Sequence, residues 1–511
     1  MLVSEAIVKC LEAEKTSVVF GVEGYNIEPV CKSLKDSAIR YVPMNSEESA
    51  GHAAGGCAQM TGKPCVSVCG SGASALKMLA AVAAAYTDCV PLIAITGQVS
   101  SDVLGRDVSD EADIIGSVEP FVKHSYLVRN AQDIPRIIKE AFYIASSGRH
   151  GPVLIDIPVD IQRQDIEPDL PESVMIRGYN PIQKGNTSQV KRFAQALQKA
   201  ERPLMIVGGG VFSSNACDEA RALSKKLDMP IVSTAGGFSV FPYDDKRFFG
   251  CCEPSSTLTD MAIANCDVLL IVGARLWSLN TGIENKTILH IDIDPAEIGK
   301  NISADLPLVG DCKYVLGQLS DAVKQCKHGS WRKYLDSHRT QQSVGEKLNE
   351  EYIFSLLSDV ISENAAIVCE SAGIKSHAVK SLKIKQGRFI SRIGMNGSGF
   401  ALPTAIGVKA SCGESEEREV ICICSLRSLC CSFSDMTILA AENIPVKLLI
   451  LKYGDNTTSS VDIKKLSQAC GIEYLKISKT EQAQEVLTKF AQSGGSVLLE
   501  VDLKRQGGNA E

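Results

Sequence analysis

Long uninterrupted apolar runs are missing from this 511-residue sequence, so a helix that crosses a membrane is not expected. Long basic runs are missing as well. A formal net charge of −7 over that length offers neither nucleic acid nor an anionic membrane an electrostatic footprint. The opening stretch, MLVSEAIVKCLEAEK, sets acids among apolar positions at helical spacing and lacks the cleavage pattern of a signal peptide. A cytoplasmic protein is therefore expected. Nineteen cysteines are present, and an odd number cannot all pair within one chain. Cys57, Cys65, Cys69, Cys89 and Cys266 fall inside apolar runs, where cysteine serves as a small hydrophobe, and this points to a reducing compartment. Cys422, Cys424, Cys430 and Cys431 match no usual metal or iron-sulfur spacing, and the first two sit on an expected buried strand, so no metal ligand is assigned.

What is there is a chain of 45% hydrophobic residues, long enough for about three domains. Buried strands alternate with helices, which predicts an α/β protein of three doubly wound parallel sheets. The domains are expected at 1–165, 191–327 and 349–511, joined by polar linkers at 166–190 and 328–348. The tail, LKRQGGNAE, reads as disordered. In the middle unit, RPLMIVGGGVFSSNA gives a strand, Gly208-Gly209-Gly210 and a helix beginning near Ser214, an arrangement suited to anions at a helix N-terminus. DVLLIVGAR and TILHIDIDPAEIGKN add two strands with loops at their C-terminal ends.

The stretch 420–456 has a form of its own. Val420–Ile423 reads as a buried strand, Ser425–Ser428 as a turn, Asp435–Asn443 as a helix and Val446–Leu451 as a second buried strand. Arg427 and Lys452 follow the two strands. Together they could hold a phosphate or carboxylate, as a fork and a point charge, or each could snorkel to solvent.

The phrases GVEGYNIEPV, EESAGHAAGGCAQMTGKP, AAAYTDCVPLIAITGQV, DIPRIIKEAFYIASSGRHGPVLIDIPVDIQ and AENIPVKLLIL resemble the acetolactate synthase family of thiamine-diphosphate enzymes over essentially the whole chain. The resemblance implies a pyrimidine-binding domain, a central Rossmann-like domain and a diphosphate-binding domain, assembled as a homodimer or homotetramer acting on small carbonyl compounds such as 2-oxo acids. It sets Glu47 on the glutamate that activates the cofactor across a subunit interface, against the plain alternative of an acid favouring a helix N-terminus. Gln98 and Lys123 match residues lining the active-site mouth; a strand-end cap and a surface lysine are their structural alternatives. Gly209, Gly210, Arg275, Asp292 and Asp311 match positions in a domain that holds FAD in the family, or that is kept for packing and assembly.

Departures gather where the family touches its cofactor. Where the family holds magnesium with Gly-Asp-Gly and Asn-Asn, this chain has Ser425-Leu426-Arg427, followed by Ser428, and Lys452-Tyr453. Neither Leu426 nor Arg427 offers a side-chain oxygen to a magnesium octahedron, so magnesium-bound thiamine diphosphate is not expected. Ser398 stands where a methionine props the cofactor into its bent shape, and Ser71-Gly72-Ala73-Ser74-Ala75-Leu76-Lys77 replaces the family's Ser-Gly-Pro-Gly-Ala-Thr-Asn. Two functions stay open: a divergent enzyme, with or without thiamine diphosphate, whose cations replace the metal; and a non-catalytic paralogue with a scaffolding or regulatory role.

Overall fold

The computed structural model describes residues 1–252, 256–277, 282–339, 347–370, 373–413, 417–454 and 461–503. Most of the expected tail, 504–511, lies outside them. The first sheet holds β1 (Val18–Gly21), β2 (Arg40–Pro43), β3 (Cys65–Cys69), β4 (Leu92–Gln98), β5 (His124–Leu127) and β6 (Val153–Pro158), in the order β2-β1-β3-β4-β6-β5. The second holds β7 (Pro203–Val207), β8 (Ile231–Ser233), β9 (Phe248–Cys251), β10 (Val268–Val272), β11 (Thr287–Asp292) and β12 (Leu306–Val309), in the order β12-β11-β10-β7-β8-β9. The third holds β13 (Ala366–Cys369), β14 (Arg388–Ile390), β15 (Val420–Ser425), β16 (Lys447–Tyr453), β17 (Glu473–Ile477) and β18 (Val497–Leu503), in the order β14-β13-β15-β16-β18-β17. Every strand pairing within them is parallel. Central strands such as β4, β7, β10 and β16 are buried along nearly their whole length because helices cover both faces. The first and third sheets share one winding order, so the turn after β3 and the turn after β15 occupy equivalent places.

Four helices matter for the argument: α1 (Glu47–Thr61), α2 (Ala73–Thr87), α3 (Ala401–Ser411) and α4 (Leu426–Ser432). Helices α1 and α3 cross at backbone contact distance, joining the first sheet to the third through a shared apolar core that includes Ala50, Ala53, Ala405, Ile406, Cys422 and Leu448. A second core runs from the central sheet into the third. No helix among the described residues is long and apolar enough to cross a membrane.

Three local expectations change. Ser425–Ser428 is not a turn: the chain passes directly from β15 into α4, because the Ser425 hydroxyl accepts the Ser428 N–H and caps the helix. After Gly208-Gly209-Gly210 the helix begins at Gly210, stops at Ser213 and resumes at Cys217, Asn215 between them taking a φ of 50°. Cys57 and Cys65, expected as free small hydrophobes, are joined by a disulfide, since the turn between α1 and β3 brings their Cα atoms to 6.2 Å.

Candidate functional site

The residues at the ends of β15 and β16 engage each other and their neighbours. The Ser425 N–H donates to Glu370 Oε2 at 2.6 Å, so a buried protein carboxylate already sits at the end of β15. Ser428 Oγ accepts the Gly399 N–H at 2.8 Å and pins the loop before α3. Leu426 is 3% exposed in the core, while Arg427 is exposed in the first turn of α4. Lys452 Nζ lies 3.8 Å from Glu500 Oε1, the carboxylate that also accepts from Tyr474 at 2.7 Å and Lys476 at 3.2 Å. Arg427 leaves the sheet on the first turn of α4, while Lys452 stays on β16 beside Glu500. Tyr453 is half-buried, and burial with the neighbouring Glu350 carboxylate raises its pKa. Ser398 is exposed in the turn before α3.

Glu47 opens α1 behind the Ser46 cap and is 6% exposed. Its Oε1 accepts from Ser74 Oγ at 2.7 Å and its Oε2 lies 3.6 Å from Lys77 Nζ. Both partners stand in the opening turns of α2, within the segment whose sequence departs most from Ser-Gly-Pro-Gly-Ala-Thr-Asn. The altered loop thus supplies the side chains that occupy the glutamate.

Gln98 and Lys123 both have polar partners within the chain. Gln98 is buried with its amide donated to Asp156 Oδ2 and Ala112 O, both at 3.0 Å, and its carbonyl accepting the Val99 N–H at 2.9 Å. Lys123 is no surface lysine either. Its ammonium donates to the carbonyls of Ile144 and Ser147 at the end of the helix Ile134–Ser146 and to Tyr179 Oη, and burial lowers its pKa to about 8. The side-chain donors of both are satisfied within the chain, those of Lys123 partly by Tyr179 in the segment that follows the first domain.

A cavity of about 180 Å³ opens elsewhere, at the C-terminal ends of the central strands, against the roughly 10–15 Å³ one water needs. Gly209, Gly210, Arg275, Asp292 and Asp311 all line it. It lies where strand order reverses between β7 and β10, the crevice at which open parallel sheets place ligands. Glycine is needed here: a Cβ on Gly208 would stand 2.1 Å from Gly273 O, and one on Gly210 would stand 2.8 Å from Gly273 Cα. Asp311 caps the helix Cys312–Ala322, and burial lifts the Asp292 carboxyl to about 6. Asp88, Arg149 and His150 from the first domain and Arg388, Ser391 and Ile393 from the third complete the wall. Arg149 is neutralised by Asp294 at 3.0 Å and Glu297 at 2.7 Å. Four buried polar atoms on the wall have no hydrogen-bond partner: Asp88 Oδ2, Glu297 Oε2, Arg388 Nη1 and Ser391 Oγ. Sequence reasoning missed these residues because none belongs to the glycine-rich unit, and no local pattern marks them.

Three family models match in chain order: the N-terminal TPP binding domain of thiamine pyrophosphate enzymes over residues 1–117, the central domain over 190–319 and the C-terminal TPP binding domain over 373–501. An acetolactate synthase large subunit of Corynebacterium glutamicum is 32% identical over 88% of this chain and 75% of its own. The chain belongs to the thiamine pyrophosphate enzyme family. An acetolactate synthase large subunit of Buchnera aphidicola is 30% identical over 98% of this chain and 94% of its own, and an acetolactate synthase of Mycobacterium bovis is 33% identical over 95% and 85%.

In this thiamine pyrophosphate enzyme family member, Asp455 and Asn456, which follow β16, lie outside the described residues. The places assigned to the metal ligands from sequence hold a buried leucine, an exposed arginine and a lysine claimed by Glu500. No group of three or more His, Cys, Asp or Glu among the described residues could hold a metal ion. The central cleft of this family member is different in kind. Its unpaired donors and acceptors and its glycine floor suit a nucleotide-type group such as FAD, which Gly209, Gly210, Asp292 and Asp311 would line.

Proposed function

We propose that this chain is a non-turnover member of its family: its thiamine diphosphate site is occupied by its own side chains, while its central cleft holds a nucleotide-type ligand within a homo-oligomer. The observation that carries the reading is Glu47, held by Ser74 and Lys77 where an activating glutamate needs a free carboxylate. Assembly is supported by α2, whose only charged residue is Lys77 and which nevertheless exposes Ala73, Leu76, Ala80 and Tyr86. An apolar helix with an open apolar face is suited to packing against a second copy. The competing reading, a metal-free carboligase acting on 2-oxo acids, needs Arg427 and Lys452 turned to one anion, and the pairing of Lys452 with Glu500 opposes it.

Titration calorimetry tests the proposal. Neither thiamine diphosphate nor its mixture with magnesium is expected to give heat at millimolar ligand, and Glu47→Gln is expected to leave the oligomeric state unchanged. Micromolar binding of the cofactor, or turnover of pyruvate abolished by Glu47→Gln, would overturn it.

A further inference from the structure

We propose that the third-domain wall of the central cleft, Arg388 together with Ser391, is an anion subsite that receives a phosphate of the bound nucleotide. The inference rests on the cleft being the ligand site, as proposed above. Arg388 opens β14, and its guanidinium carbon stands 3.3 Å from the centre of the Phe212 ring, which belongs to the short helix after β7. The side chain therefore spans from the third domain to the central one. Its Nη1 is sealed from solvent without a partner, and Nη2 reaches only the Gln59 carbonyl at 3.5 Å. Burial lowers its pKa to about 10 with no carboxylate nearby to oppose the shift, so the group is still a cation at neutral pH. Three residues on, Ser391 Oγ is likewise buried and unpartnered.

A desolvated guanidinium without a counter-charge is costly, and a charge-assisted contact to an anion is what its geometry can accept. Other cations near the cleft are already compensated: Arg149 by Asp294 and Glu297, and Arg392 by Asp88 at 3.8 Å beside His52. Arg275 is half-exposed and can be solvated. Across the cleft, the ends of β11 and β12 present Asp292 and Asp311, which suit hydroxyl and amine donors and repel phosphate. Asp88 of the first domain is held by the Ile393 and Gly394 N–H groups, so the desolvated cation of the third domain faces acids from both other domains across the cleft.

The test compares ADP with adenosine, which share every group but the phosphates. Trp277 at the rim, 63% exposed, is one of two tryptophans, and the other, Trp331, is buried with its indole N–H on Pro203 O, so fluorescence quenching reports the cleft. The wild-type protein should bind ADP at least about tenfold more tightly than adenosine. Arg388→Met, which keeps the packing on Phe212, should bring ADP down to the adenosine level and leave adenosine unchanged. Ser391→Ala, which removes one hydroxyl and no charge, should cost ADP roughly threefold to tenfold and guards against a folding defect in the first variant. Equal affinity of the wild type for ADP and adenosine, or a preference retained in both variants, would overturn the subsite while leaving the cleft reading intact. If FAD, ADP and adenosine all fail to bind the wild type, the cleft reading falls and the subsite with it.

Discussion

Gly407→Ala is expected to destabilise the protein by about 3 kcal/mol, and Gly407→Val to prevent accumulation of folded chain. At the crossing of α1 and α3, a Cβ on Gly407 would stand 1.8 Å from Ala53 O and 2.5 Å from Ala53 C. The reciprocal contact is as close, a Cβ on Gly56 meeting Thr404 O at 2.2 Å. These neighbours are helix backbone, which cannot turn aside as a side chain can, so the helices themselves must part. Parting them opens the core shared by the first and third sheets, where Ala50, Ala53, Ala405 and Ile406 have no exposed surface. Gly317 in the helix Cys312–Ala322 supplies the contrast, since nothing lies within 4 Å of a Cβ built there. Gly317→Ala should stabilise by about 0.5–1 kcal/mol, the ordinary helix-propensity gain. Urea midpoints of the two alanine variants decide the matter: if Gly407→Ala unfolds at the wild-type midpoint, the crossing is not as close as described.

The three parallel sheets were readable from sequence because fully buried strands leave continuous β-branched runs, as VICIC and VKLLIL do. Gly208-Gly209-Gly210 was readable for a similar reason: the close approach of the chain after β10 leaves no room for a Cβ at Gly208 or Gly210. Side-chain partners were not. Lys452 could be placed at the end of a strand, but its pairing with Glu500 depends on β18 lying beside β16, a choice of strand order that no local pattern contains. The internal partners of Gln98 and Lys123 were not legible, because a polar residue at a strand end looks the same whether it faces a ligand or a neighbouring element. Asp156 and the carbonyls of Ile144 and Ser147 come from 20 to 60 residues away. The cleft was half legible: its central-sheet residues follow the expected loops, whereas Arg388 and Ser391 reach it from another domain. Glu47 carries the plainest lesson. Its identity matched the family, but its availability depended on Ser74 and Lys77 in the altered loop, and those departures were visible in the sequence without their consequence.

Stability should fall as pH rises from about 4 to about 7, and Asp156→Asn should remove the largest single part of that slope. Asp156 on β6 is 1% exposed, and burial lifts its carboxyl to about 7 although Thr96 Oγ1 at 2.6 Å and Gln98 Nε2 at 3.0 Å both favour the charged form. In the unfolded chain the same group titrates near 3.8. Between those values the folded protein keeps a proton that the unfolded chain has lost, so raising the pH favours unfolding. The effect saturates above about pH 7, where both states are ionised, and over the whole window amounts to on the order of 4 kcal/mol. Asp435, fully buried and accepting from Ser49 at 2.6 Å, and Asp292 are both lifted to about 6, so they add slope of the same sign. Asparagine at 156 cannot ionise, and its amide faces the Gln98 donor, which costs some stability at low pH. The variant should therefore be weaker than wild type near pH 5 and should match or exceed it near pH 8. Urea midpoints at pH 5, 6, 7 and 8 give the slopes; a wild-type midpoint that climbs with pH, or a variant with an unchanged slope, would mean that Asp156 is ionised in the folded protein throughout.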